Sequence, residues 1–320
     1  MENDLKLIRS LNKGWAGARI KRAGGQTNRN YIVDYKNKKF FVRLPWVSGV
    51  IDRRVEAKNI LALSCNKKLG DILPKYYLYI YKKKNILDPG NREVFRVPNG
   101  TMVSEFVRGR IFDLGLFKKR KYQEKLVKMF FRLHSSGVRF CNKYDSFRDE
   151  LGKYRLAAQK FPIQKILKVQ TISNLIWIEK KSKLMVPISR PVPTHNDFLF
   201  QNFILGNNDK LYLLDFEYAG MNVRGGILYD FGYFFADNFF RKPAMNKDLF
   251  EEFLVLAERV YKRCFDRERI YWLALATPVL QIWWGLLRYF SVKSKKEKKY
   301  FKSYILKRVQ GIPKLSQILK

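Results

Sequence analysis

The stretch Thr194–Asp215, THNDFLFQNFILGNNDKLYLLD, constrains this chain more than any other. His195, Asp197 and Asn202 stand at His-x-Asp-x4-Asn spacing. Gly206-Asn207-Asn208-Asp209 has the composition of a reversing turn, Leu211–Leu214 is apolar enough for a buried strand, and Asp215-Phe216-Glu217 follows. Each spacing has a chemical use. Asp197 is placed to accept the proton of an attacking hydroxyl. Asn202 lies five residues later, where a turn can bring its side-chain oxygen to a metal ion. Asp215 arrives at the end of the strand, where a carboxylate can bridge Mg2+ to triphosphate oxygens. An Asp base, an Asn and a second Asp on a metal are the working parts of phosphoryl transfer. The bland alternative is a β-hairpin whose polar residues only cap turns.

With 320 residues, 47% of them hydrophobic, the chain can form one two-lobed unit or two small domains. No apolar run is expected to reach the roughly 18 residues that span a bilayer. The N-terminal MENDLKLIRSLNKGW lacks the apolar segment of a signal peptide. Cys65, Cys141 and Cys264 are widely spaced and odd in number, which predicts reduced thiols in a cytoplasm rather than a disulfide framework or a zinc site. Only two histidines occur, so a site built mainly of His ligands is excluded. Sixty-four Lys and Arg face 28 Asp and Glu, for a net charge of +36. Such a field attracts nucleic acid, anionic membranes or polyanionic substrates. The cations are scattered, however, through Lys82–Lys84, Lys118–Lys121, Lys180–Lys183 and Lys293–Lys299. That pattern fits a solvated surface better than one binding stripe. No helix-turn-helix, RRM or zinc pattern occurs, so no specific nucleic acid is expected. A weak contact with an anionic membrane surface is compatible with the charge.

Along the chain, residues 1–20 read as a short helix or arm. Gly24-Gly25-Gln26-Thr27-Asn28 precedes the strand Tyr31-Ile32-Val33, and glycines there let backbone N–H groups approach phosphate closely. Lys39–Pro45 is the next strand. Its Arg43 is a cation among apolar residues and is costly to bury unpaired. Glu56, on a helix that Asp52 can cap, is the expected partner. Leu78–Tyr81, Glu93–Val97 and Thr101–Ser104 are strand candidates, and Asn99-Gly100 predicts a hairpin between the last two. From Leu114 the pattern turns helical. Residues 121–137 form a helix that stops at Ser135-Ser136-Gly137, with His134 as a satisfied structural imidazole. Residues 145–185 read as one or two helices without a chemical motif. Phe231–Phe240 is an apolar helix carrying Asp237, and three further helical segments cover about 248–264, 268–290 and 294–310.

His195-Asn196-Asp197 with Asn202, then Leu213–Gly220 (LLDFEYAG) followed by Asn222 and Arg224, resembles the choline and ethanolamine kinases of the aminoglycoside phosphotransferase, protein-kinase-like superfamily. Arg43, where protein kinases carry Lys, is similar to the choline kinases. The resemblance runs from about Gly24 to the last helices. It implies an α+β, two-lobed protein-kinase-like fold. An N-terminal antiparallel sheet plus one helix would form the nucleotide-binding lobe at 1–106. A larger, mainly helical lobe at 107–320 would carry catalysis and the acceptor. The resemblance further implies ATP and Mg2+ as cofactors and a small hydroxyl-bearing acceptor, choline or ethanolamine first.

On that likeness Gly24, Gly25, Thr27 and Asn28 form the nucleotide loop, and Arg43, held by Glu56, touches phosphate. The backbone of Glu105 to Val107 meets the adenine. Asp197 is the base, His195 braces its loop, and Asn202 and Asp215 hold Mg2+, with Glu217 for a second ion. Tyr218, Asp237 and Trp284 surround the acceptor beside Asp197. The chain departs from the family at Leu199 (commonly Gln), Asp237 (Glu) and Leu287 (the second Trp of W-G-L-W). One wall of an aromatic cage for a quaternary ammonium is therefore missing. Plain core packing is the competing reading of Trp284. The alternatives are a kinase for a sugar, an aminoglycoside, thiamine or a lipopolysaccharide core, and a catalytically silent kinase-like binding protein.

Overall fold

The computed structural model describes residues 2–24, 28–45, 51–82, 84–88 and 93–319. Gly25 and Thr27 of the expected nucleotide loop lie outside the described residues. The chain divides into two compact units. One is Met1–Arg110 with Ile204–Glu217, and the other is Ile111–Phe203 with Tyr218–Lys320. The expected division at 106/107 does not contain the return of 204–217, which carries Asp215 and Glu217 into the first unit.

In the first unit, α1 (Glu2–Ser10) leads into β1 (Arg19–Ala23), β2 (Arg29–Tyr35), β3 (Lys38–Leu44), α2 (Arg53–Ser64), β4 (Tyr76–Tyr79), β5 (Lys84–Asp88), β6 (Glu93–Val97), β7 (Met102–Glu105) and β8 (Gly109–Ile111). Alternating apolar residues in β2 and β3 place Tyr31, Val33, Val42 and Leu44 in one core with Leu7, Ile8 and Trp15. The sheet is antiparallel in the order β1-β2-β3-β7-β4, and Arg43 pairs with Asn30 on one side and Met102 on the other. α2 begins where Asp52 Oδ1 accepts from the backbone N–H of Arg54 (2.9 Å) and Val55 (3.3 Å), the expected cap.

The hairpin expected at Asn99-Gly100 is not formed. β6 pairs with β5, and β7 pairs with β3 and β4. Gly100 does turn the chain, at φ +94°, but its N–H is donated to the Ile80 carbonyl (2.6 Å). An Asn-Gly turn fixes the local backbone. It does not choose the strand partner when a third strand offers a better apolar face.

The second unit holds α3 (Leu114–Phe117), α4 (Arg120–His134), β9 (Lys143–Tyr144), α5 (Lys153–Ala158), α6 (Val169–Met185) and β10 (Ile188–Thr194). The chain then makes β11 (Phe203–Gly206) and β12 (Leu211–Leu213), which join β8 in the order β12-β11-β8. β13 (Gly220–Arg224), α7 (Ile227–Phe239), α8 (Lys247–Tyr261), α9 (Arg267–Ser291) and α10 (Lys295–Leu319) complete it. β13 lies between β10, antiparallel, and β9, parallel. The segment 145–185, read as one or two helices, contains a π-helical turn at Ser146–Gly152 before α5 and α6.

The expectation that no segment is apolar enough to span a bilayer is corrected by α9. Its length and mean hydropathy of 1.4 over 18 residues would allow a crossing. Eighty-nine per cent of that window is buried inside the protein, against α5, α6, α7 and α10, so α9 is the core helix of the unit. Gly232 is what lets α7 come so close to it. A Cβ there would lie 2.8 Å from the Ile270 carbonyl oxygen and 2.8 Å from Leu273 Cβ. Gly232→Val is therefore expected to cost about 1–3 kcal/mol by overpacking, measured by denaturant titration.

Candidate active site

Each unit carries its own polar cluster. In the first, Glu56 is fully buried on α2 and is gripped from three sides. Arg43 Nη2 lies 2.6 Å from Oε1, Arg53 Nη1 lies 2.6 Å from Oε2, and Tyr79 Oη donates to Oε2 at 2.5 Å. The pairing expected between Arg43 and Glu56 is thus present. Arg43 also donates through Nη2 to the Gly100 carbonyl (3.2 Å) and reaches Asp215 Oδ1 at 3.5 Å. Arg53 continues the chain of charges. Its Nη1 is 3.0 Å from Glu217 Oε2 and its Nη2 donates to Asn28 Oδ1 (3.3 Å), while Asn28 Nδ2 donates to Glu217 (3.3 Å).

Gly100 must be glycine here for two reasons. Its φ is positive, and a Cβ would lie 2.6 Å from the Arg53 side chain. Arg53 and Tyr79 were not anticipated. An Arg three residues before Glu56 on one helix face was the available signal for the first. Nothing local marked the second.

Electrostatics follow from this packing. Burial alone would push the Glu56 carboxyl up, but Arg43, Arg53 and the Tyr79 hydroxyl outweigh it and hold it below its usual range. Burial and then the Glu56 charge push the Tyr79 hydroxyl well above the ordinary tyrosine value. Asp215, with φ +61° and its side chain one-third exposed, is the most open carboxylate of the set.

At the expected nucleotide loop, Asn30 Nδ2 donates to the Gly24 carbonyl (2.9 Å), and a Cβ on Gly24 would meet no atom within 4 Å among the described residues. The Glu105 N–H is donated to the Lys75 carbonyl (2.8 Å) and that of Phe106 to Lys39 (3.2 Å).

The second cluster surrounds the loop after β10. Asp230, at 0% exposure on α7, accepts from the backbone N–H of Asn196 (2.8 Å) and His195 (3.1 Å), and from His134 Nε2 (2.8 Å). His134 Nδ1 meets Tyr261 Oη at 2.7 Å, the satisfied imidazole expected of it. Asn196 is left-handed, φ +64°, a strained conformation for a side chain of that size. Its own side chain secures it: Thr194 Oγ1 and Asn222 Nδ2 donate to Oδ1 (2.8 and 2.9 Å), and Nδ2 donates to the Tyr218 carbonyl (2.9 Å). His195 stacks on Phe198 (4.8 Å, 18°), and its Nδ1 accepts the Asp197 N–H at 3.3 Å. Asn202 Nδ2 donates to the Asp197 carbonyl (2.7 Å) and carboxylate (3.1 Å). Asp197 is thereby fixed on a rigid loop, with the Asn202 side-chain oxygen turned away from the bonds its nitrogen makes. Arg224 holds Asp145 (3.0 Å) and the Val186 carbonyl (2.8 Å), which ties the 145–185 segment to β13.

The three expected acceptor residues lie in this unit. Tyr218 Oη shares a hydrogen bond with Tyr154 Oη (2.6 Å). Trp284 is buried, edge-on to Phe301 and Tyr304 at 5.6 and 5.4 Å between ring centroids. Asp237 is bonded to Arg241 Nε (2.8 Å) and Gln281 Nε2 (3.0 Å), with Arg308 Nη2 at 3.7 Å. Arg308 lies 3.4 Å over the Tyr304 ring and donates to Gln281 Oε1 (2.6 Å). A cation of the chain itself thus sits against the aromatic and acidic groups. Burial, with the Asp197 and Glu150 charges next in effect, pushes the Tyr233 hydroxyl well above its usual value, so Asp197 lies within electrostatic reach of these aromatics.

The sequence profile described as choline/ethanolamine kinase matches residues 91–251, half of the chain. The chain belongs to the choline/ethanolamine kinase family. The matched residues include Asp197, Asn202, Asp215, Glu217, Tyr218, Asp230 and Asp237, and leave Arg43, Glu56 and Trp284 outside. Protein LicA of Haemophilus influenzae is 22% identical over 202 residues, 62% of this chain and 53% of that protein, so the match spans about half the length of that relative. The crystal structure of choline kinase LicA from Streptococcus pneumoniae superposes with a TM-score of 0.71 at 20% identity, over 96% of this chain and 98% of that one. LicA in complex with AMP gives the same TM-score and identity over 98% of each chain. These likenesses establish a kinase-like fold for this family member.

Because the Glu56 carboxyl is held low, its contribution to stability is complete above the ordinary carboxylate value and is lost as pH falls below it. Glu56→Ala leaves two buried guanidinium groups short of a counter-charge and should cost about 3–5 kcal/mol at neutral pH. In melts taken as a function of pH, the gap to the parent protein should persist down to the ordinary glutamate value of 4.5 and narrow only below it.

Proposed function

We propose that this chain transfers the γ-phosphate of ATP to the hydroxyl of a small acceptor, with choline or ethanolamine the first candidates. The observation that carries this reading is the Asp197–Asn202 pair on a loop locked by Asp230 and Asn196. A carboxylate held that rigidly can orient and deprotonate an attacking hydroxyl, and Asn202, its nitrogen engaged, keeps an oxygen for a cation. Family membership and the AMP-bound LicA relative support a nucleotide as phosphate donor.

The first cluster suits that role. Its two arginines face three carboxylates, Glu56, Glu217 and Asp215, and Asp215 is the most exposed of them. Carboxylate and amide oxygens are the hard donors Mg2+ prefers, and Mg2+ is usually held by one or two carboxylates together with phosphate. Within the first unit Asp215 therefore suits such an ion, and within the second Asn202 keeps a side-chain oxygen of the same kind. When bound the ion would neutralise phosphate charge. Glu217, already engaged by Arg53 and Asn28, fits a second ion poorly. Gly24, without a side chain, suits the close approach of a phosphate, and Arg43 is a guanidinium of the same unit. With the N–H groups of Glu105 and Phe106 engaged, the adenine contact narrows to Val107. Positioning and charge neutralisation carry the rate, and little covalent work falls to the protein.

Arg308 favours a second reading. With its guanidinium over Tyr304 and Arg241 on Asp237, this group of side chains supplies its own cation, which suits an uncharged or larger alcohol better than a quaternary ammonium. Coupled ADP release with Mg-ATP, against choline, ethanolamine, thiamine, aminoglycosides and simple sugars, separates the two. Under the first reading choline or ethanolamine turns over, and Arg308→Ala lowers its KM by removing a competitor. Under the second, only another alcohol turns over. In both, Asp197→Asn should lower kcat by about 10²–10⁴ with nucleotide affinity kept, and chelation of divalent ions should abolish turnover. ATP binding without turnover on any acceptor would favour the silent binding protein.

A further inference from the structure

Large apolar side chains left in water are not spread evenly over this protein. Among the described residues eleven are exposed, and five of them fall between 156 and 188: Leu156, Val169, Trp177, Leu184 and Ile188. Three of these lie on α6. At 3.6 residues per turn Val169, Ser173, Trp177, Lys180 and Leu184 fall within about 80° of one another around the helix axis. The opposite side buries Leu175, Ile178, Glu179 and Ser182 in a helix that packs on α9. The outward face is therefore a genuine stripe: Val169 is 70% exposed, Trp177 60% and Leu184 77%, and Ile188 follows just beyond the helix at 69%.

The charges on this face have one sign. Lys180 and Lys183 are exposed on α6, and Arg190 is exposed beyond Ile188. The only carboxylate between residues 160 and 190 is Glu179, which is buried and held by Arg155 Nε at 3.1 Å. We propose that the outer face of α6, with Ile188, docks on the surface of an anionic lipid bilayer. Trp, Leu, Val and Ile gain from entering the headgroup boundary, and lysines beside them gain from acidic lipid. A second copy of this chain fits poorly, since each carries +36 and like charges repel. A nucleic acid would meet the lysines and leave the aliphatic stripe in water. The proposal is independent of which acceptor the kinase uses.

Flotation with vesicles tests it, using phosphatidylcholine alone and phosphatidylcholine containing phosphatidylglycerol. The parent protein should float with the anionic vesicles and not with the neutral ones. Trp177→Ser/Leu184→Ser and, separately, Lys180→Gln/Lys183→Gln should each lower partitioning about tenfold, with melting temperatures unchanged because these side chains are exposed. Soluble glycerol phosphate should not compete, which distinguishes a bilayer surface from a free phosphate site. Three results would overturn the proposal. The parent protein could stay unbound. The apolar double variant could float like the parent, showing that diffuse charge alone is responsible. Or the parent could self-associate in sedimentation through Trp177 and Leu184, assigning the stripe to a second copy.

Discussion

A carboxylate with no access to water organises the second unit of this protein. Burying the Asp230 charge would be prohibitive without donors, and three are supplied, by His134 on α4 and by the backbone of His195 and Asn196. The dependence is mutual. The backbone at Asn196 adopts an unfavourable left-handed turn because Asp230 and the Asn196 side-chain bonds compensate it, and that turn is what projects Asp197. Phe198 then anchors the loop in the aromatic core, 3.9 Å from Phe130, so the side chains on either side of Asp197 are both immobilised. The function of the loop is thus inseparable from the packing of α4 and α7 beneath it.

The sequence was readable where a local rule applies and silent where partners come from far away. The cap at Asp52, the helix stop at Gly137 and the Arg43–Glu56 pair each follow from a propensity or a desolvation argument that one or two residues supply. Asp230 could not be assigned that way, because its donors lie 34, 35 and 96 residues distant. Tyr79, 23 residues from Glu56, was missed for the same reason, whereas Arg53 carried a local signal, its i,i+3 spacing to Glu56, that was not used. The Asn99-Gly100 turn was identified correctly as a turn and wrongly as a hairpin, since strand pairing is decided by the whole sheet. α9 was misjudged in the opposite direction. Its interrupted apolar pattern hid a helix hydrophobic on nearly every side, which is what burial among four helices demands.

Two other buried carboxylates, Glu56 and Asp237, share a device that Asp230 does not use. Each is surrounded by arginine and a neutral donor, Tyr79 for Glu56 and Gln281 for Asp237. Guanidinium groups suit this because they form several directed bonds at once and cannot lose their charge. The consequences differ. Around Glu56 the two arginines also reach Asp215 and Glu217, so one network of charge spans all three carboxylates. Around Asp237 the arginines meet the carboxylate themselves, and Arg308 covers the face of Tyr304. Family membership alone would not have revealed that difference, because it depends on a residue of the last helix, beyond the matched segment.

The exceptional charge of the chain has no part in this interior. Among the described residues the buried ionised side chains are five arginines and seven carboxylates, with no lysine. The interior is therefore close to neutral and slightly acidic, while the whole chain carries +36. All of the surplus lies outside, where it contributes little to the fold and can act only on solubility, association and the choice of partner. A surface charge spread so widely selects poorly by itself, because every exposed face attracts anions. What separates one face from the rest is a second, short-range term, and on α6 exposed Trp177 and Leu184 supply it beside Lys180 and Lys183. Long-range attraction would bring any anionic surface to this protein, but only one that also offers an apolar boundary would be held at that helix.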